Sequence, residues 1–152
     1  MIENSFTIIK MTAKNIDGLV KIENECFSKP WTQSGFENEL KNDTANFHVA
    51  LCNNQEVGYM GYYIILDEGY VANIAVLPEY RRRGIAGALI ENALTQCREK
   101  KLLFLSLEVR KGNENAVRLY KKYGFETVGE RKNFYSAPVE NALIMTKYFN
   151  CD

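Results

Sequence analysis

Apolar positions from residue 84 to about residue 100 recur at helical spacing. Ile85, Leu89, Ala93 and Cys97 stand at i, i+4 steps with Ala86, Ile90 and Leu94 beside them, which predicts an amphipathic helix. Lys100 and Lys101 close it with charge that suits a helix C-terminus. A helix over 12–27 follows from Ile16, Leu19, Val20, Ile22 and Cys26, with Thr12 as its N-cap and Lys29-Pro30 as its breaker. Thr32 caps a second helix over 33–41 that carries Phe36 and Leu40, and Asn113 caps another over 114–123 with Gly124 at C′. Short apolar or alternating runs predict strands at 5–11, 46–53, 56–66, 69–77, 102–109, 125–132 and 141–148. Asn53-Asn54 and Asp67-Glu68-Gly69 mark reversals, and a loop is expected over 135–140. The order of elements implies an α/β (α+β) fold, a mixed sheet of about seven strands with helices on both faces. No repeat, low-complexity stretch or linker interrupts it, so residues 1–152 are expected to form one domain.

Composition narrows the function classes. Hydrophobic content of 46% and aromatic content of 12% fit a well-packed globular chain. The longest uncharged apolar run, residues 57–66, is too short to cross a bilayer, and no signal peptide is visible at the N-terminus. Cys26, Cys52, Cys97 and Cys151 form no C-x-x-C pair, so reduced thiols in the cytoplasm are expected and a metal site is not. His48 is the sole histidine and reads as a structural residue within a strand. The net charge is zero, yet residues 1–80 hold five basic and eleven acidic residues, while residues 81–152 hold fourteen and eight. Such a dipolar chain can take an anionic ligand on one side and a cationic one on the other, and it lacks the overall basicity of a nucleic-acid binder.

The run Arg81-Arg82-Arg83-Gly84-Ile85-Ala86-Gly87 joins the strand containing Ile74, Ala75 and Val76 to the long helix. A helix N-terminus carries unpartnered N–H groups and partial positive charge. Gly84 permits close backbone approach and Ala86 is small, so a pyrophosphate is the expected ligand. The pattern is neither a Walker loop nor a dinucleotide fingerprint. A basic turn that merely caps a helix remains the plain alternative.

Read as R/Q-x-x-G-x-G/A, the run resembles the acetyl-CoA pyrophosphate loop of the GNAT superfamily of N-acetyltransferases. Two further motifs carry the resemblance: Leu107-Glu108-Val109-Arg110, and Asn113 to Phe125 read as N-x-x-A-x-x-L-Y-x-x-x-G-F. Together with Asn73-Ile74-Ala75-Val76, Phe27 with Pro30-Trp31, and Arg131-Lys132-Asn133-Phe134-Tyr135, they are similar to the RimI-type branch, the ribosomal-protein-alanine N-acetyltransferases. The resemblance implies a sheet splayed between its fourth and fifth strands with acetyl-CoA in the gap. It implies that Ile74, Ala75 and Val76 pair with the pantetheine arm, and that Arg81, Arg82, Arg83, Gly84, Ile85, Ala86 and Gly87 hold the pyrophosphate, with Asn113 also on the cofactor. Glu108 matches the catalytic base and Tyr120 the catalytic acid, while Trp31 and Tyr135 fall near the acceptor. Ala86 stands where glycine is commoner in the family.

The chemistry agrees with these roles. An amine must lose a proton before attacking a thioester, and a strand-end carboxylate can take it. A departing thiolate needs a proton, which a phenol can give. Taken singly, Glu108 could be a solvated carboxylate paired with Arg110 or Lys111, Tyr120 a core residue, Asn113 only a cap, and Trp31 and Tyr135 packing residues. An α-amino group has a pKa of about 7.7–8.0 and Lys about 10.4, so at neutral pH far more of the former is free base. That favours Nα-acetylation, in the RimI branch at the N-terminal alanine of a small-subunit ribosomal protein. Glu23, Glu25, Glu37 and Glu39 are candidates to attract a basic acceptor peptide. A GNAT enzyme acting on lysine or a small amine, a non-catalytic acyl-CoA-binding module and an RNA binder using the arginine cluster are the competing readings. Neither a nucleic-acid nor a membrane partner is expected, and a monomer is.

Overall fold

The computed structural model describes residues 5–149. Seven strands form one sheet: β1 (Thr7–Lys10), β2 (Ala45–Cys52), β3 (Gln55–Ile65), β4 (Glu68–Val76), β5 (Phe104–Arg110), β6 (Glu126–Ser136) and β7 (Val139–Tyr148). Their order across the sheet is β1-β2-β3-β4-β5-β7-β6, with every neighbouring pair antiparallel except β4 with β5. The helices are α1 (Ile16–Cys26), α2 (Gln33–Leu40), α3 (Ile85–Glu99) and α4 (Glu114–Lys122).

Strand alternation divides the core into two layers. On one face Phe47 of β2 and Tyr59 of β3 stack at 6.2 Å between ring centroids, and Phe36 of α2 meets Tyr59 edge-on at 5.5 Å. On the other face His48 and Tyr62 lie against α3, where Tyr62 Oη donates to Gln96 Oε1 and Gln96 Nε2 donates to His48 Nε2 at 3.0 Å. Helices therefore cover both faces, as the element order implies, and His48 is a structural residue beneath α3.

Two local expectations change. Thr12 does not start α1; it opens a 3-10 turn (Ala13–Asn15), and the α-helix begins at Ile16. The cause is Asn15, whose Oδ1 accepts from the Thr12 N–H at 2.9 Å while its Nδ2 donates to Glu56 on β3 at 2.9 Å. The second change is at the last hairpin, where β6 continues to Ser136 and β7 resumes at Val139, leaving only Ala137 and Pro138 between them. The continuation beyond Lys132 is hidden because β6 is the sheet edge, where polar residues are tolerated, and a register shift between Arg131 and Tyr135 breaks its alternation.

The pairing of β4 with β5 positions the site. Only Glu68, Gly69 and Tyr70 pair with Phe104, Leu105 and Ser106; beyond them the parallel strands diverge. On its other side β4 stays paired to β3 up to Val76, with one extra residue, Ala72, where the register shifts between Gly61 and Tyr62. The chain thus opens a wedge whose walls are the C-terminal halves of two strands.

Candidate active site

The wedge holds two adjoining cavities. The first, about 670 Å³, is lined by Ile74, Ala75 and Val76 of β4, by Arg81, Arg82 and the stretch Gly84, Ile85, Ala86 and Gly87, and by Asn113 and Tyr120. The second, about 680 Å³, is bordered by Glu23, Trp31, Glu108, Tyr120, Tyr135 and the tip of the β6–β7 hairpin. Cys26, Phe27, Ile74, Asn113, Ala116 and Tyr120 border both, so the cavities meet at the mouth of the wedge.

The first cavity is an anion cradle built from backbone. Gly84 adopts φ 82 and ψ 8, a left-handed conformation that glycine takes without strain, and a Cβ there would meet nothing within 4 Å. Arg82 is also left-handed, at φ 64, so the loop curls before the helix. Gly84 has no side chain to cap α3, and the first helical bond runs from Ala88 N–H to Gly84 O. The amides of Ile85, Ala86 and Gly87 are the orphan donors of the first turn. Among the arginines, Arg81 donates from Nε to Val76 O at 3.0 Å and from Nη2 to Cys26 Sγ at 3.6 Å, pinning the loop to β4. Arg83 lies over the Tyr80 ring at 4.9 Å and does not line the cavity. The loop thus offers directional N–H groups more than a diffuse cluster of three charges.

The second cavity carries the titratable groups. Glu108, an exposed position between buried Leu107 and Val109 on β5, is ion-paired with Arg131 of β6 at 3.0 Å. Its partner is thus neither Arg110 nor Lys111. Arg110 reaches Glu140 at 3.2 Å and stacks on Tyr135 at 4.3 Å, and Lys111 pairs with Glu130 at 3.2 Å. Tyr120 is 7% exposed and meets Phe125 at 5.8 Å. Burial pushes its phenol up to about 12, with Tyr135 adding to the shift. It is both a core residue and a wall of each cavity. Asn113 caps α4, its Oδ1 accepting from the Ala116 N–H at 3.2 Å, and still borders both cavities. Trp31 packs on Phe36 at 5.4 Å and Phe47 at 5.9 Å and borders the second cavity. Burial raises the thiol pKa values of Cys26 and Cys97, against the pull of neighbouring cations.

Of the glutamates expected to attract a basic peptide, Glu25 and Glu37 are exposed, whereas Glu39 accepts from the Tyr63 hydroxyl. Glu23 is 1% exposed and cannot act as a surface charge. Its signal in the sequence is a carboxylate on the apolar stripe of α1, one residue after Ile22 and four after Leu19. Arg131 is the other residue whose contact with the site the sequence hides, because its pair with Glu108 joins β6 to β5 over the intervening strand β7.

Comparison with known proteins shows the family. Residues 16–125 match the model of the acetyltransferase (GNAT) family. The chain belongs to the GNAT family of acetyltransferases. Over 136 residues it is 40% identical to a Bacillus subtilis (strain 168) protein with the provisional name ribosomal protein bS18-alanine N-acetyltransferase, covering 89% of this chain and 90% of that one. It is 35% identical to the ribosomal protein bS18-alanine N-acetyltransferase of Haemophilus influenzae, covering 93% and 97% of the two chains. The crystal structure of the ribosomal-protein-S18-alanine N-acetyltransferase from Escherichia coli superposes with a TM-score of 0.90 at 27% identity, covering 97% and 96%. This GNAT protein is thus an acyltransferase whose acetyl donor is acetyl-CoA, and the first cavity, with its open Gly84 and orphan amides, suits the donor's pyrophosphate. Among the described residues, no helix of the enzyme is long and apolar enough to cross a membrane, and no group of three or more His, Cys, Asp or Glu could hold a metal ion.

Proposed function

We propose that this acetyltransferase modifies the α-amino group of an N-terminal alanine, with a small-subunit ribosomal protein as acceptor, in the cytoplasm and as a single domain. The observation that carries the reading is coverage. The likeness to alanine N-acetyltransferases runs over 93% of the chain and takes in both walls of the acceptor cavity, not the cofactor cradle alone.

In this reading the amides of Ile85, Ala86 and Gly87 hold the pyrophosphate, supported by Arg82, while Ile74 and Val76 orient the pantetheine arm along the edge of β4 that faces the gap. Asn113 contacts the cofactor where the two cavities meet. Acetyl-CoA supplies the acetyl group as a thioester. Glu108 takes a proton from the incoming ammonium, directly or through one water, and Tyr120 gives its phenolic proton to the departing sulfur. Because burial holds the Tyr120 phenol near 12, it is protonated at neutral pH and ready as the acid. Trp31 and Tyr135 shape the entrance, and the bulk of the rate enhancement is the positioning of two reactants in one wedge. Cys97 is fully buried on α3 and burial raises the thiol of Cys26 at the end of α1, which fits direct transfer within a ternary complex better than an acyl-enzyme.

The test is one incubation of the protein with acetyl-CoA and three peptide sets, read by mass spectrometry: free alanine N-termini, the same peptides with blocked N-termini, and blocked peptides with lysine. Acetylation confined to the first set is expected. Acetylation of the lysine set alone would overturn the assignment.

A further inference from the structure

Glu23 is the buried acid that the scheme above leaves without a task. Its side chain leaves α1 at the floor of the acceptor cavity, 1% exposed. One carboxylate oxygen, Oε1, accepts from the Trp31 N–H at 2.8 Å. The other, Oε2, accepts from Tyr59 Oη at 2.5 Å and from Asn73 Nδ2 at 2.8 Å. Asn73 Nδ2 also donates to Tyr59 Oη at 2.8 Å. With both contacts of its Nδ2 on the inner side, the Asn73 amide has one orientation, and its Oδ1 accepts from the backbone N–H of Ile74 at 3.0 Å. Three donors from three segments, the Trp31 N–H, the Tyr59 hydroxyl and the Asn73 amide, converge on the two oxygens of one side chain.

The Ile74 amide is no ordinary ladder donor. Leu77 N–H bonds to Val57 O on β3, and alternation along an antiparallel strand turns the amides of Val76 and Ile74 to the opposite edge, which faces the gap. We propose that Glu23 is a positioning residue for acetyl transfer: through Asn73, which takes the Ile74 N–H, it fixes the stretch of β4 that borders the acetyl donor, and through the Trp31 amide it fixes the loop that walls the acceptor. The inference rests on the reading that acetyl-CoA lies along β4. It gives the two substrates a common anchor that touches neither. A glutamine at this position keeps the shape but offers one acceptor oxygen in place of two, and opposes a donor to a donor. Asn73 can relieve that clash only by turning its amide, which sets an NH₂ against the Ile74 N–H.

The experiment compares wild type, Glu23→Gln, Asn73→Ala and the double variant in kcat at saturation of both substrates, with CoA affinity measured by calorimetry. Each single substitution is expected to lower kcat about tenfold. The double variant is expected to be no slower than the worse single one, because both act on the same amide. CoA affinity should fall far less than kcat, since the pyrophosphate cradle is untouched and only one contact of the pantetheine arm is disturbed. An unchanged kcat in Glu23→Gln, additive losses in the double variant, or parallel loss of kcat and CoA binding would each overturn the proposal. Should Glu23→Gln fail to fold, the cycle of Tyr59→Phe with Asn73→Ala is judged by the same criteria. Wild type without turnover on alanine peptides would sink the acceptor reading, whereas active wild type with an indifferent Glu23→Gln sinks only this inference.

Discussion

The two halves of the wedge are built in different ways. The cradle takes most of its lining from one continuous stretch, from Ile74 on β4 through Gly84 to Gly87 on α3. The acceptor cavity draws Glu23 from α1, Trp31 from the loop before α2, Glu108 from β5, Tyr120 from α4 and Tyr135 from β6. A local half can be specified by backbone conformation at a few residues. A dispersed half exists only once the sheet has assembled, and its chemistry depends on contacts between distant segments. Substitutions should accordingly separate the two: cradle changes should weaken CoA binding, and acceptor-side changes should slow transfer while CoA still binds.

The largest effect is expected on the dispersed side. Glu108→Gln removes the proposed base and Tyr120→Phe the proposed acid. Each should lower kcat by roughly 10²–10⁴-fold. Because neither substitution alters the orphan amides of α3, calorimetric CoA affinity should be retained. Normal turnover in both variants would remove the acid–base pair from the mechanism, and loss of CoA binding would show that the halves are not separable.

A smaller effect, of the opposite kind, is expected at Gly84. The residue sits at φ 82, and a β-branched side chain in that region costs about 1–2 kcal/mol although the space around it is open. Gly84→Val should therefore weaken CoA binding roughly tenfold through displaced amides. Its kcat at saturating acetyl-CoA should change far less than that of Glu108→Gln. Equal loss of kcat and affinity would mean that the loop also places the acetyl group.

This difference also explains what could be read from the chain. Gly84, the helix after it and the Asn113 cap are legible because their causes are local: a left-handed turn, a 3.6-residue stripe, an Asx cap. The splay is not local, since nothing in residues 68–76 or 104–110 states that pairing stops after Tyr70 and Ser106. Glu108 was visible as a strand-end carboxylate, but its partner Arg131 depends on the β5-β7-β6 order, which sequence spacing does not contain. Glu23 carried a signal, an acid on an apolar helix face, that reads equally as surface charge until Tyr59 and Asn73 are seen to converge on it.

The smallest effect is an absence, and it tests the dispersed half most finely. A phenol near its ordinary pKa of about 10 would be half ionised at pH 10 and unable to serve as an acid in that fraction. Burial of Tyr120 raises the value to about 12, with Tyr135 contributing. The raised value means that the protonated, proton-donating form persists until well above pH 10. On the acid side, an amine acceptor becomes more competent as pH rises, because more of it is free base. The profile of kcat should therefore climb from the acid side and stay level to pH 10, provided near-ultraviolet circular dichroism shows the fold intact there. A descending limb centred near pH 10 would mean that the acid is a solvated phenol or another group. In Tyr135→Phe, which removes one contributor to the shift but not the burial, the level region should persist, because desolvation is the larger cause.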